Sequence, residues 1–245
     1  MKPSSKLLLL IVLLLPVVGQ AAAESADYEP VKLIRPLETI IPHELKELGM
    51  VNPRASFQVI VGPKGEMVDY LAVSATHVGL LPKAEEKLSK ARFKAATLDG
   101  VPTTGKITVI ITFFDPEQRA WKQGFAGAPM GGNVSDAVAR KLYRADPDAV
   151  AFQESKPTEL DSPLTLAETK LYRLHAPDAE PPSGAVIAEY FIDHHGQVRL
   201  PEIIKSDNEY LSMSVIMSLR ETRFVEPTNG GRPTYVRVRQ PFNFD

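Results

Sequence analysis

The sequence predicts an α+β protein made of two copies of one small unit, each a strand–strand–helix–strand arrangement with a small antiparallel sheet, joined by a partly helical linker. Three observations carry that expectation. The chain repeats itself at a constant offset. A glycine turn in each copy is flanked by alternating apolar and polar residues, and an amphipathic stretch of helical period follows each hairpin.

The repeat is clearest at the end of each copy. "RFKAATLDGVPTTGKITVIITFF" (92–114) and "RFVEPTNGGRPTYVRVRQPFNFD" (223–245) share seven identities in 23 ungapped positions, from Arg92 and Arg223 to Phe113 and Phe244, all at an offset of 131. Upstream, "VIVGPKGEM" lies opposite "YFIDHHGQV", and Gly65 matches Gly196 at the same offset. The repeated cores are 38–115 and 184–245. The first unit begins near residue 30, and 116–183 is a linker without a counterpart.

The elements follow in order. Lys2 and Lys6 precede an apolar run over 7–19, broken by Pro16, and Ala21-x-Ala23 follows. That is the pattern of a secretory signal (1–23) cleaved after Ala23, and the run is shorter than the about 20 residues of a membrane span. The expectation is a periplasmic or secreted protein, the alternative an uncleaved inner-membrane anchor. Loss of Lys2 and Lys6 would take the net charge from −2 to −4. "LETIIPHELKELG" predicts a leading helix closed by Gly49. "SFQVIVGPKGEMVDYLAVS" predicts a hairpin turning at Gly65. Leu80, Leu81, Ala84, Leu88 and Ala91 predict a helix, and "KITVIITFF" a β-branched strand. In the linker, "AWKQGFAGAPMGGN" predicts a loop, and "SDAVARKLYRA" a helix capped by Ser135. "SPLTLAETKLYRLHA" reads as either a second helix or a strand, the helix preferred, before the "APDAEPPSG" connection. The second copy offers "AVIAEYFID" and "QVRLPEIIKS" as its hairpin around Gly196, "NEYLSMSVIMSLRE" as its helix and "TYVRVRQPFNF" as its last strand.

Composition excludes several classes. Hydrophobic residues at 44% and charged residues at 24% suffice for a packed core. With 28 basic against 30 acidic residues there is no basic footprint, so no nucleic acid is expected as partner. No cysteine is present, which excludes disulfides, thiolate nucleophiles and lipid anchoring through an N-terminal cysteine.

The order of motifs resembles the TonB C-terminal domain of Gram-negative energy transducers, twice in one chain. In the first copy the resemblance rests on Pro42, Leu45 and Gly49, then Val61, Gly65, Val68 and Ser74, then Phe93, Gly100, Pro102 and Phe113. In the second it rests on Ile192, Gly196, Val198, Ser206, Phe224, Pro227, Gly231, Pro233 and Phe244. It covers about 140 of the 245 residues. The first copy departs from it at Ala95-Ala96, where a proline is usual; the second has no leading helix directly before its hairpin. The long Pro/Lys/Glu-rich spacer of a transducer is not in the sequence. The resemblance implies contact with proteins of the cell envelope, such as TonB-dependent outer-membrane receptors or their peptides.

Chemical motifs are weaker. "DHHG" offers adjacent histidines at 194 and 195, but neighbouring side chains on a strand point to opposite faces. Zinc takes three or four ligands, the nearest other histidine is His175, and the aligned copy reads "GPKG". The expectation is a solvated turn in which Asp193 bonds its own backbone and Gly196 takes positive φ, with no metal. "GVPTTGKI" (100–107) approaches the phosphate-loop pattern, but Ile107 lacks the hydroxyl for Mg²⁺ and the motif leads into a strand, so no nucleotide and no cofactor are expected. Ser74 and Ser206 read as strand ends, Glu85-Glu86 as a solvated helix face and Asn133 as a cap, leaving no catalytic residues. The best candidates are the last strands, through Ile107, Val109, Ile111, Val236, Arg237, Val238 and Arg239, as sheet edges that add a peptide strand or pair into a homodimer. The functions compatible with the sequence are a non-catalytic exported interaction protein, a membrane-anchored TonB-type transducer of outer-membrane transport, and a small-ligand binder or enzyme using 116–183.

Overall fold

Alternation along residues 54–61 fixes the first sheet: Ala55, Phe57, Val59 and Val61 are buried while their neighbours point outward. The computed structural model of the chain describes residues 27–50, 52–117, 152–177 and 180–245. The signal segment with Ala23, the glycine-rich loop and the helix expected after Ser135 lie outside the described residues. Among the described residues no helix is long and apolar enough to cross a membrane.

The fold is α+β, with small sheets and few helices. Strands β1 (Leu37–Ile40), β2 (Arg54–Val61) and β3 (Met67–Ala75) are followed by helix α1 (Leu81–Leu88) and strand β4 (Gly105–Phe114). Then come β5 (Glu154–Ser155), β6 (Gly184–Ile192), β7 (Val198–Ser206), α2 (Glu209–Arg220) and β8 (Tyr235–Phe244). The first sheet has the order β1-β4-β2-β3 and the second β5-β8-β6-β7. In each, the hairpin and the last strand pair antiparallel, and a short strand adds parallel to the last one. β3 and β7 correspond residue for residue at the repeat offset of 131, β2 with β6 and β4 with β8 to within a residue, and the two sheets share one strand order.

Among the described residues each sheet carries one α-helix. α1 buries Leu81, Ala84 and Leu88. α2, capped by the Asn208 side chain accepting from the Tyr210 amide, buries Leu211, Val215 and Leu219. Between helix and last strand each unit has a two-residue hairpin loop, Asp99-Gly100 and Gly230-Gly231, with all four residues at positive φ, as a type I′ turn requires.

One expected helix, and the helix preferred over a strand in the linker, take other forms. In "LETIIPHELKELG" residues 37–40 form β1, because their partners at Ile111–Phe114 supply a parallel ladder. Pro42 then interrupts, and only His43–Leu48 turns, as a 3₁₀ helix ended by Gly49 at φ 59°. Most of "SPLTLAETKLYRLHA" is extended. Leu166–Glu168 pairs with Arg223–Phe224, and the chain then runs along α2. There the Tyr172 and Leu174 amides donate to the hydroxyls of Ser218 and Ser214, and Thr169 bonds Thr222. Hydroxyls at one-turn intervals on α2 thus give this strap the acceptors that a helix would have supplied internally.

Candidate functional site

The outer strands of the two sheets, β3 and β7, meet each other, and a network of polar side chains lies at that seam. Asp69 on β3 accepts the Leu200 amide at 2.7 Å and the Arg199 guanidinium at 3.3 Å. Arg199 also donates to Asp193 at 2.7 Å and to Gln197, and lies 4.9 Å over the Tyr70 ring. Leu200 is held at φ 49°, a left-handed conformation that costs an L residue about 1–2 kcal/mol, and the hydrogen bond its amide N–H donates to the Asp69 carboxylate secures it. Phe152 closes the seam beneath them. Its backbone bridges to Ala75 in both directions, and its buried ring packs 5.2 Å from His194 and 5.6 Å from Tyr235.

The hairpin "DHHG" lies against this seam as a tight turn. The Gly196 amide closes it onto the Asp193 carbonyl at 2.9 Å, while Asp193 Oδ1 accepts from His195 and Gln197. Gly196 is at φ 72° and Gly65, in the matching turn, at φ 79°. The two histidines occupy the turn's central positions, where successive side chains do not diverge as they do on a strand. Their rings stand 4.0 Å apart, tilted by 38°. The expectation of solvent-facing histidines is corrected for His194: its side chain is 10% exposed, wedged under Phe152.

A third group comes from the other unit. Glu85 of α1 lies 3.9 Å from His194 Nε2 and 3.7 Å from His195 Nε2. Its side chain is 17% exposed, which corrects the reading of Glu85-Glu86 as a solvated pair. Burial raises the Glu85 pKa despite His195 beside it, whereas exposed Glu86 is pulled down to about 2 by its bonds to Lys83 and Lys90. The sequence held a signal for this difference. Glu85 sits one turn after Leu81 and three residues before Leu88, inside the apolar stripe, and Glu86 sits outside it.

Burial, and then the neighbouring His195, push the His194 pKa down to about 4. The unfolded chain, titrating near 6.5, therefore takes up a proton that the fold refuses. Stability is complete above that value and is lost as the pH falls toward about 4. The groups facing the ring are Glu85, His195, Asp193 and Arg199; Glu85, with its raised pKa, acts in the opposite sense and offsets part of the loss. Urea unfolding with a chelator present, at about pH 7.5 and about pH 5, should show a drop in stability that His194→Gln reduces; equal drops would refute this origin.

The last strands are not sheet edges in the sense expected, because each has a strand on either side. The outer neighbours are short, however. β1 covers only Ile111–Phe114 of β4, and β5 covers only Tyr235 and Val236 of β8. Val109, Ile111 and Val236 are buried, Ile107 and Val238 half-buried, and Arg237 and Arg239 exposed. Arg237 ion-pairs with Glu154 at 3.4 Å and lies over the Phe191 ring. Along 237–244 β8 pairs with β6 alone among the described strands. The phosphate-loop-like stretch is a type I′ hairpin running into β4, with no helix at its end.

No family model, no curated protein and no solved structure matches the chain.

Proposed function

We propose that the chain is a non-catalytic, exported protein that acts through protein–protein contacts in the cell envelope, with two units similar to the receptor-contacting C-terminal domain of TonB. The observation that carries this reading is the long outer edge of β8 beyond Val236, which meets no described strand. An extended peptide adding there would gain main-chain hydrogen bonds, the mode by which an open sheet edge takes a partner. Its recognition would rest first on the backbone, with exposed Arg239 available for charge while Arg237 pairs with Glu154. The equivalent stretch of β4, before Ile111, offers a second, shorter edge of the same kind.

The reading has a direct test. A photo-cross-linking residue introduced at Arg239 should give discrete adducts with envelope proteins in intact cells. The same residue at Lys64, exposed in the turn of the first hairpin, should give none. Equal labelling from the two positions, or none from either, would overturn the proposal.

A further inference from the structure

The geometry points to a divalent transition-metal site of the zinc class, built from Glu85, His194 and His195 across the seam between the two units. One ligand atom from each of the three residues lies within 4.8 Å of the others. The carboxylate oxygens stand 3.9 Å and 3.7 Å from the two Nε2 atoms, too long for hydrogen bonds. They exceed the roughly 3.3–3.5 Å that separates ligands around a tetrahedral ion bound at about 2.0–2.2 Å, and with the three ligand atoms within 4.8 Å of one another, side-chain adjustment of about 1 Å or less would draw them onto one ion.

A second observation concerns the state of His194 itself. His194 is nearly buried, yet neither ring nitrogen makes a hydrogen bond: Nδ1 is buried without a partner, and Nε2 faces Glu85 from beyond bonding distance. Burying an imidazole in that condition is costly; coordination through Nε2 would give the ring one strong interaction, with Nδ1 still buried behind it. Two imidazoles and one carboxylate suit zinc and its first-row neighbours rather than calcium or magnesium, which prefer all-oxygen sites. His195, 52% exposed, gives the ion a way in from solvent. Three protein ligands leave a coordination position for water or for a group from a partner. The ligands come from two units, so the ion would fasten the hairpin of the second to the helix of the first. The inference is independent of whether β8 takes a partner.

The test uses the purified protein, stripped with a chelator and titrated with Zn²⁺ by calorimetry, and with Co²⁺ by visible absorption. One equivalent should bind, Co²⁺ should show the intense bands of a tetrahedral site, and Zn²⁺ should raise the unfolding temperature. His195→Ala and Glu85→Gln should each weaken binding by more than about tenfold, since even outer-sphere partners are worth that much. Glu86→Gln, next door and ion-paired with Lys83 and Lys90, should leave it unchanged. His195 is half exposed, so its alanine variant should stay folded, which circular dichroism verifies. Parent-like affinity in both His195→Ala and Glu85→Gln, or no binding by the folded parent, would overturn the site.

Discussion

Gly196→Ala should destabilise the protein by about 3 kcal/mol or more, among the largest effects of any single added methyl. Two costs combine there. Gly196 sits at φ 72°, where an L side chain loses about 1–2 kcal/mol. A Cβ at that position would also lie 2.0 Å from the carbonyl oxygen of Phe224, a backbone atom that cannot swing aside. The same backbone is tied to Gly196 by the Phe224 amide, which donates to the Gly196 carbonyl at 2.7 Å, so relieving the clash breaks that bond. Two other glycines separate the terms. Gly100, at φ 78° with no atom within 4 Å of an added methyl, should show the backbone cost alone, about 1–2 kcal/mol. Gly65, whose Cβ would meet the Phe93 carbonyl oxygen at 2.5 Å, should fall between them. Urea denaturation of the three variants gives the order, and a Gly196 variant no worse than that at Gly100 would refute the steric argument.

Phe152→Ala should cost about 3–5 kcal/mol, the range for emptying a buried aromatic position. Phe152 is 1% exposed and joins both halves: its ring packs on His194 and Tyr235 of the second, while its backbone bridges to Ala75 of the first. The cavity would open at the seam, so the loss should appear as earlier separation of the two halves. Denaturation followed by probes in each half should then lose the coincidence expected of the parent. Phe152→Leu, which keeps most of the volume, should cost less than half as much. A loss below about 1 kcal/mol in Phe152→Ala would show that the ring is not a keystone.

Much of the fold was legible because its determinants are local. The two hairpins follow from alternation around Gly65 and Gly196, α1 and α2 from helical spacing, and β4 and β8 from β-branched runs. What escaped depends on distant partners. Residues 37–40 become a strand because Ile111–Phe114 lies alongside, more than seventy positions on. The strap after Glu168 stays extended because Ser214 and Ser218 accept its amides. Strand geometry would set the two histidines apart, yet they stand in a turn, and the third group of their cluster comes from another unit. The one local hint, an acid within the apolar stripe of α1, needed the seam to give it meaning.

That seam also bears on how the molecule could have arisen and what it now forbids. Asp69 and Leu200, which bond each other, occupy equivalent positions of the two copies, 131 residues apart. In a dimer of identical chains such a contact would fall on a twofold axis, and each residue would meet its own duplicate. Two copies of the first unit would set Asp69 against Asp69, a repulsion between acids; two copies of the second would set Leu200 against Leu200 with no acceptor for either strained amide. Joined in one chain, the halves are released from that symmetry. One has become the acceptor and the other the donor, with Arg199 standing where the first copy has Val68. The duplicated units are therefore complementary rather than interchangeable, each specific for its sibling.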